Sequence, residues 1–255
     1  MLCDTHIHLL APEWSTPPEQ RIRAATEAGI GFLLQPGVRV GDWDAMLNLA
    51  REHPQVYAAP GVHPLYAEQW DAAVAHRLRT AVRQPKVVAI GEIGLDKTAT
   101  APLGTQEKVL RAQLELALEC ELPVLLHGRG ATGKLLAILG ELHIGERIGG
   151  IWHGFSGSPE VASRLVAMGF AIGVGPVLLR ANVRKLPAAI AQLPDQALVL
   201  ETDAPDMADR PETLLEVAAQ LARLKGWTPA HTAHITTATA RALFLGRNLT
   251  LNPLE

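Results

Sequence analysis

The segment Leu2-Cys3-Asp4-Thr5-His6-Ile7-His8 decides between two α/β architectures. It reads as a buried strand over residues 2–7 that runs straight into a His-x-His pair, with no glycine inside it. A doubly wound open sheet that binds a nucleotide puts a glycine-rich phosphate loop at this first strand-to-helix turn. Without that loop the reading moves to a closed barrel, whose strand ends carry the chemistry. Seven more short apolar runs follow, at residues 32–35, 56–60, 87–90, 124–126, 150–152, 171–174 and 198–200. Most are apolar throughout rather than alternating, as strands covered on both faces should be. Helical stretches lie between them, such as residues 105–121, with Leu110, Leu114, Ala117 and Leu118 at helical spacing. Thr105 and Ser158-Pro159 supply helix start signals, the second with proline at the first helical position. Residues 229–244 read as a last helix packed on the barrel, and 248–255 as a short exit. Eight strand–helix units in 255 residues fit the ~250 that a (β/α)8 TIM barrel takes. No repeat, low-complexity tract or linker divides the chain, so one α/β barrel domain over residues 1–255 is expected.

Composition removes several classes of function. With 48% hydrophobic residues, and 23 Lys and Arg against 26 Asp and Glu, the chain buries a core instead of staying disordered. No window reaches ~18 consecutive apolar residues, so no membrane span is expected. The first residues lack the basic-then-apolar order of a secretory signal. Two cysteines, Cys3 and Cys120, are too few for a disulfide framework and fit reduced thiols in the cytoplasm. A net charge of −3 argues against a broad basic face for nucleic acid but leaves room for a small, locally positive site. No obligate protein partner is evident.

The ten histidines divide into two sets. His53, His76, His143, His231 and His234 sit in helical stretches among polar neighbours and read as solvated. His6, His8, His63, His127 and His153 all fall at the C-terminal ends of predicted strands, which converge on one face of a barrel. Residues i and i+2 of a strand point the same way, so His6 and His8 can share one cation. On its own that pair also reads as two polar residues at a strand exit. Glu92, in Ala89-Ile90-Gly91-Glu92-Ile93-Gly94, follows the fourth run, and Asp203, in Leu200-Glu201-Thr202-Asp203-Ala204-Pro205, follows the eighth. Apolar flanks would bury both carboxylates, and a buried carboxylate needs a cation to stay charged. With His127 and His153 added, four nitrogens and two carboxylates suffice for two metals sharing one carboxylate. Such mixed sites suit Zn2+, Mn2+ or Co2+ and bind Mg2+ less well.

Other residues keep two readings. Asp96 can orient a histidine or cap the following helix. Arg180, Arg184 and Lys185 can steer phosphates or form a solvated face. Trp14 and Phe155 can stack on an unpaired base, although Phe155 reads more simply as core. Neither cysteine has a histidine at motif spacing, which argues against a thiol nucleophile.

The segments Asp4-Thr5-His6-Ile7-His8, Gly61-Val62-His63-Pro64, Gly91-Glu92-Ile93-Gly94-Leu95-Asp96, His127-Gly128-Arg129, His153-Gly154-Phe155-Ser156-Gly157 and Glu201-Thr202-Asp203-Ala204-Pro205 resemble, in order, the motif series of the TatD family. These are metal-dependent hydrolases and deoxyribonucleases of the amidohydrolase superfamily. Residues 169–175 with 200–207 are similar to the YjjV-type branch. The resemblance implies a (β/α)8 barrel with two divalent ions, drawn from Mg2+, Mn2+ and Zn2+. His6, His8, Glu92 and Asp203 would hold one ion and Glu92, His127 and His153 the other. Glu92 would bridge them, in the place of the carbamylated lysine of related amidohydrolases. Asp203 would also act as general base, while His63 and Arg129 would contact the scissile phosphate. The activity implied is 3′→5′ exonuclease cleavage of single-stranded DNA, or attack on another phosphodiester bound at the barrel mouth. Hydrolysis of a small carbonyl substrate (ester, lactone, amide or aminoacyl ester) is the alternative. A non-catalytic binding barrel is a third reading, opposed by the intact set of six ligand-type residues.

Three departures from the family pattern bear on substrate preference. Gly128 and Gly130 flank Arg129 where small polar or acidic residues are usual. Lys97 follows Asp96 where an aromatic residue is common. Arg210-Pro211-Glu212 is a reduced form of a frequent Arg-Asn-x-Pro segment.

Overall fold

The computed structural model describes residues 1–246, so the expected exit at 248–255 lies outside the described residues. Eight parallel strands are found: β1 (Leu2–Asp4), β2 (Ile30–Pro36), β3 (Val56–Ala59), β4 (Ile90–Asp96), β5 (Val124–Arg129), β6 (Gly150–Trp152), β7 (Phe170–Val174) and β8 (Leu198–Leu200). Between and after them run α1 (Pro18–Glu27), α2 (Trp43–Glu52), α3 (Ala72–Ala81), α4 (Leu103–Cys120), α5 (Thr132–Glu141), α6 (Ile144–Arg147), α7 (Pro159–Ala167), α8 (Lys185–Gln192), α9 (Thr213–Lys225) and α10 (Pro229–Leu245). The architecture is the expected α/β (β/α)8 fold. Its ladder is not continuous, however. It forms two arcs, β1-β2-β3 and β4-β5-β6-β7-β8. Isolated bonds cross both seams: Val88 N to Ala58 O (3.1 Å) and Gly91 N to Pro60 O (3.1 Å) at one, Thr5 N to Leu200 O (3.0 Å) at the other.

Several boundaries differ from expectation, and four of the differences bear on the argument. β1 stops at Asp4 rather than residue 7, because Thr5 turns its N–H to Leu200 on the opposite neighbour, β8. Of the fourth run, Val87 pairs through an isolated bridge to Ala58 and only Ile90 belongs to the strand proper, which lies later, across Gly91 and Gly94. Those glycines mark close strand contact instead of a turn. A Cβ on Gly91 would stand 2.5 Å from Leu125 Cβ, and one on Gly94 1.9 Å from His127 O. β5 continues to Arg129. α4 starts at Leu103 after Pro102, two residues ahead of the expected signal at Thr105, while α7 starts at Pro159 as expected.

The uniformly apolar runs are explained by two cores that alternate along each strand. Cys3, Phe32, Leu34, Tyr57, Leu125, Ile151 and Val199 form one cluster with Ala240, Phe244 and Leu245 of α10. Their strand neighbours Leu33, Val124, Leu126, Leu198 and Leu200 belong to the larger cluster shared with the outer helices. α10 covers the N-terminal end of the barrel, where Thr237 Oγ1 donates to Met1 O (3.1 Å) and Thr239 Oγ1 to Gln196 O (3.2 Å). The C-terminal strand ends are left for the site. Among the described residues no helix is long and apolar enough to cross a membrane.

Candidate active site

The exits of β1 and β8 are tied together by one carboxylate. Asp4 Oδ1 accepts from the backbone N–H of His6 (3.2 Å) and of Thr202 (3.0 Å), and Oδ2 accepts from Thr202 Oγ1 (2.6 Å). This clasp sets the extended segment after β1, so the His6 and His8 side chains still converge although the strand has ended. Their Nε2 atoms lie 3.2 Å apart. Across the seam Asp203 donates its N–H to His6 O at 2.8 Å and sits at φ 49°. That left-handed conformation costs an L-residue roughly 1–2 kcal/mol, which here turns the Asp203 carboxylate toward both imidazoles. Its Oδ1 lies 3.3 Å from His8 Nε2 and 3.6 Å from His6 Nε2.

Glu92 and His127, expected just past their strands, lie inside β4 and β5; His153 follows β6 directly. Glu92 faces a different set of nitrogens with each oxygen. Oε2 lies 3.3 Å from His6 Nε2 and 3.9 Å from His8 Nε2. Oε1 lies 2.6 Å from His153 Nε2, 2.8 Å from His127 Nδ1 and 3.5 Å from His63 Nε2. His63, expected to touch substrate, therefore also reaches the cluster; its Nδ1 accepts from Leu65 N at 3.1 Å. Asp96 orients His127 and caps no helix: Oδ2 meets His127 Nε2 at 3.0 Å, and Oδ1 accepts from Thr98 N and Oγ1, both at 2.7 Å. Arg129, the last residue of β5, is exposed.

The electrostatics follow from this crowding. Burial alone would raise the Glu92 carboxyl, but His153, His63 and His6 hold it well below the ordinary range. Burial likewise opposes ionisation of Asp203, and His8 with His153 still lowers it. His6 and His153 stack at 4.0 Å between ring centroids. Burial and His153 push His6 down, whereas Glu92 overrides burial to push His153 up.

The donor set fits divalent cations. Four ligands about 2.1 Å from an ion stand about 3.4 Å apart at tetrahedral corners, close to the spacings between these donors. His6, His8 and Asp203 form one such group, and Glu92 joins two further groups, with His6 and His153 and with His63 and His127. Asp203 Oδ1 is buried with no hydrogen-bond partner, as are His6 Nδ1 and His153 Nδ1. An oxygen aimed between two imidazole nitrogens, with no proton donor of its own, is what a cation would satisfy.

Reading the sequence missed three buried polar residues: Asp4, Thr202 and Glu201. Glu201 Oε1 accepts from Gly154 N at 2.5 Å and so steadies the turn that carries His153. Gly173 leaves it room, since a Cβ there would stand 2.2 Å from Glu201 Oε2. A charged residue inside an otherwise apolar run, as in Val199-Leu200-Glu201 and Leu2-Cys3-Asp4, was the available signal. Phe155 is core. Trp14 is half-buried, donates to His8 O at 2.8 Å and carries the Arg21 guanidinium 4.8 Å from its ring centroid. Arg180, Arg184 and Lys185 are exposed, as are His76, His143, His231 and His234; His53 is half-buried at the end of α2.

A parallel barrel that gathers imidazoles and carboxylates at its C-terminal strand ends belongs to the class of metal-site hydrolase barrels. The model of the family described as TatD related DNase matches residues 3–245. The uncharacterized metal-dependent hydrolase YjjV of Escherichia coli is 38% identical over 239 residues, covering 88% of this chain and 92% of that protein. The 3′-5′ ssDNA/RNA exonuclease TatD of Salmonella typhimurium is 30% identical over 256 residues, covering 94% and 98%. The crystal structure of Escherichia coli YjjV, a TatD homologue, superimposes with a TM-score of 0.90 at 36% identity, covering 95% of this chain and 97% of that one. The chain belongs to the TatD family of metal-dependent hydrolases and is of the YjjV type.

Proposed function

We propose that this protein is a two-metal phosphodiesterase that removes nucleotides from the end of a single-stranded nucleic acid. The observation that carries this reading is Glu92, whose two oxygens face two separate sets of imidazole nitrogens. His6, His8, Asp203 and Glu92 Oε2 would hold one ion; His127, His153 and Glu92 Oε1 the other. When bound, divalent cations make water acidic enough to ionise at neutral pH and offset charge on a phosphate. Asp203, whose Oδ1 faces His6 and His8, accepts the proton of the attacking water on its other carboxylate oxygen. Arg129 grips the scissile phosphate through its fork of N–H groups, and His63 adds a donor from the other side of Glu92. The family match over residues 3–245 supports reading the whole chain as one catalytic unit. The free thiols Cys3 and Cys120 suit a reducing cytoplasm.

One feature favours a second reading, hydrolysis of a small carbonyl substrate. The exposed Asp206 lies within electrostatic reach of His8, Asp203 and Glu13, so part of the mouth is acidic. The deciding experiment is metal analysis of the purified protein, followed by labelled single-stranded DNA with Mg2+ and Mn2+ in parallel and a neutral ester as comparison. Shortening of the DNA by single nucleotides supports the first reading. Turnover of the ester with intact DNA supports the second and overturns the first.

A further inference from the structure

Charge is distributed unevenly around the site. On one side, where β8 and β1 end, stand the carboxylates of Asp206 and Glu13. On the other, where β4 and β5 end, stand Arg129 and Lys97, both exposed. The two cations are adjacent by construction, because Asp96 pairs with Arg129 in the β4–β5 register and Lys97 N donates to Arg129 O at 3.0 Å. Gly130, at φ 70°, makes the space for the lysine. A Cβ on it would stand 3.2 Å from both Cβ and Cδ of Lys97, so the lysine stem lies against the backbone next to Arg129. The two departures in sequence, a lysine after Asp96 and a glycine after Arg129, are therefore one structural feature.

Neither cation is neutralised. Among the described residues the Lys97 and Arg129 side chains form no hydrogen bond or ion pair. The nearest carboxylate in sequence, Asp96, is committed to His127 and Thr98. Other cations are paired instead, Lys134 with Glu107 and Arg111 with Glu107 and Glu141 among them.

We propose that Lys97 is a specificity-determining residue, which receives a second phosphate of the substrate beside the one that Arg129 grips at the point of cleavage. This rests on the phosphodiesterase reading above. A guanidinium suits one phosphate held bidentately, whereas an ammonium on a flexible stem is a point charge free to meet the next one. The acidic side repels phosphate. A polyanionic strand thus leaves over β4–β5 and ends on the β8–β1 side, which suits cleavage from a terminus.

The test compares thymidine dinucleotide, with one phosphodiester, and trinucleotide, with two, in Mn2+. The quantity read is the ratio of KM for the dinucleotide to KM for the trinucleotide. The wild-type ratio exceeds one. Lys97→Gln lowers it about 3- to 10-fold, the scale of one exposed charge-assisted contact, through KM for the trinucleotide more than through kcat. Lys97→Arg restores it. A ratio unaltered by Lys97→Gln, or lowered equally by Lys97→Arg, overturns the role of Lys97 and leaves the phosphodiesterase reading standing. Failure of the wild type to cleave either nucleotide overturns that reading and this inference with it.

Discussion

Asp96 and His127 form a carboxylate–imidazole pair across neighbouring strands, with Oδ2 3.0 Å from Nε2. The pair leaves His127 Nδ1 directed at Glu92 Oε1, 2.8 Å away. A histidine that binds a cation through one nitrogen is held in tautomer and orientation by the partner of its other nitrogen. Here that support is uneven: the far nitrogens of His6 and His153 are buried without a partner. His127 is thus the imidazole whose orientation is most dependent on a single side chain.

Asp96→Ala should therefore weaken metal binding on the His127 side about 10- to 100-fold. Asp96→Asn, which retains an oxygen acceptor, should lose less. Titration of the metal-free protein with Mn2+, monitored by calorimetry, checks both. Unchanged affinity in Asp96→Ala would show that Gly94 and the β4–β5 ladder alone hold His127.

Among the described residues the exposed Arg129 side chain forms no hydrogen bond or ion pair, so its removal should leave the melting temperature nearly unmoved. Arg129→Ala should lower kcat/KM about 10- to 100-fold for a phosphodiester, the scale of a lost bidentate grip on an anion. Its effect on a neutral ester should be at least about tenfold smaller, because that substrate offers no anion to the fork. Equal losses on both substrates would give Arg129 a structural role.

The strand count, their order and the gathering of histidines at one end were legible because they depend on local hydrophobic pattern and position along the chain. The site's finer construction was not. Asp4 and Thr202 are 198 residues apart, and Glu201 meets Gly154 across 47; no local pattern reports such partners. β4 was placed too early because Gly91 and Gly94 break the apolar run, although there they serve close contact with β5. His6 and His8 converge for a different reason than strand alternation, since the strand ends at Asp4 and the clasp to Thr202 directs residues 5–8. The two-arc ladder depends on register around a ring, which periodicity does not encode.

Cys3 gives a pH dependence that can be signed. Burial pushes its thiol up from 9.0 to about 11. Below pH 9 both folded and unfolded chains keep the proton, and the contribution is constant. Between 9 and 11 the unfolded chain releases it first, so stability falls as pH rises. At about pH 10 the loss comes to about 1.4 kcal/mol. Urea unfolding at about pH 7.5 and about pH 10 should show the wild type losing about that much more than Cys3→Ala. Equal losses would mean that the folded state does not hold the thiol protonated.

Asp203 has two proposed tasks, cation ligand and proton acceptor, and one substitution separates them. Its backbone is fixed at φ 49° by the N–H bond to His6 O and by its own carbonyl, which accepts from Met207 N at 2.8 Å. Asparagine tolerates that left-handed conformation nearly as well as aspartate, so Asp203→Asn should keep the seam intact. The amide retains one oxygen that can face His6 and His8 but no longer accepts a proton from water. Much of the metal should stay while the single-turnover rate falls ~10²- to 10⁴-fold, the usual range for a general base. Metal content and single-turnover rate must be measured on the same preparation. Loss of metal in step with rate would make Asp203 a ligand first, and an unchanged rate with metal retained would remove it as the base.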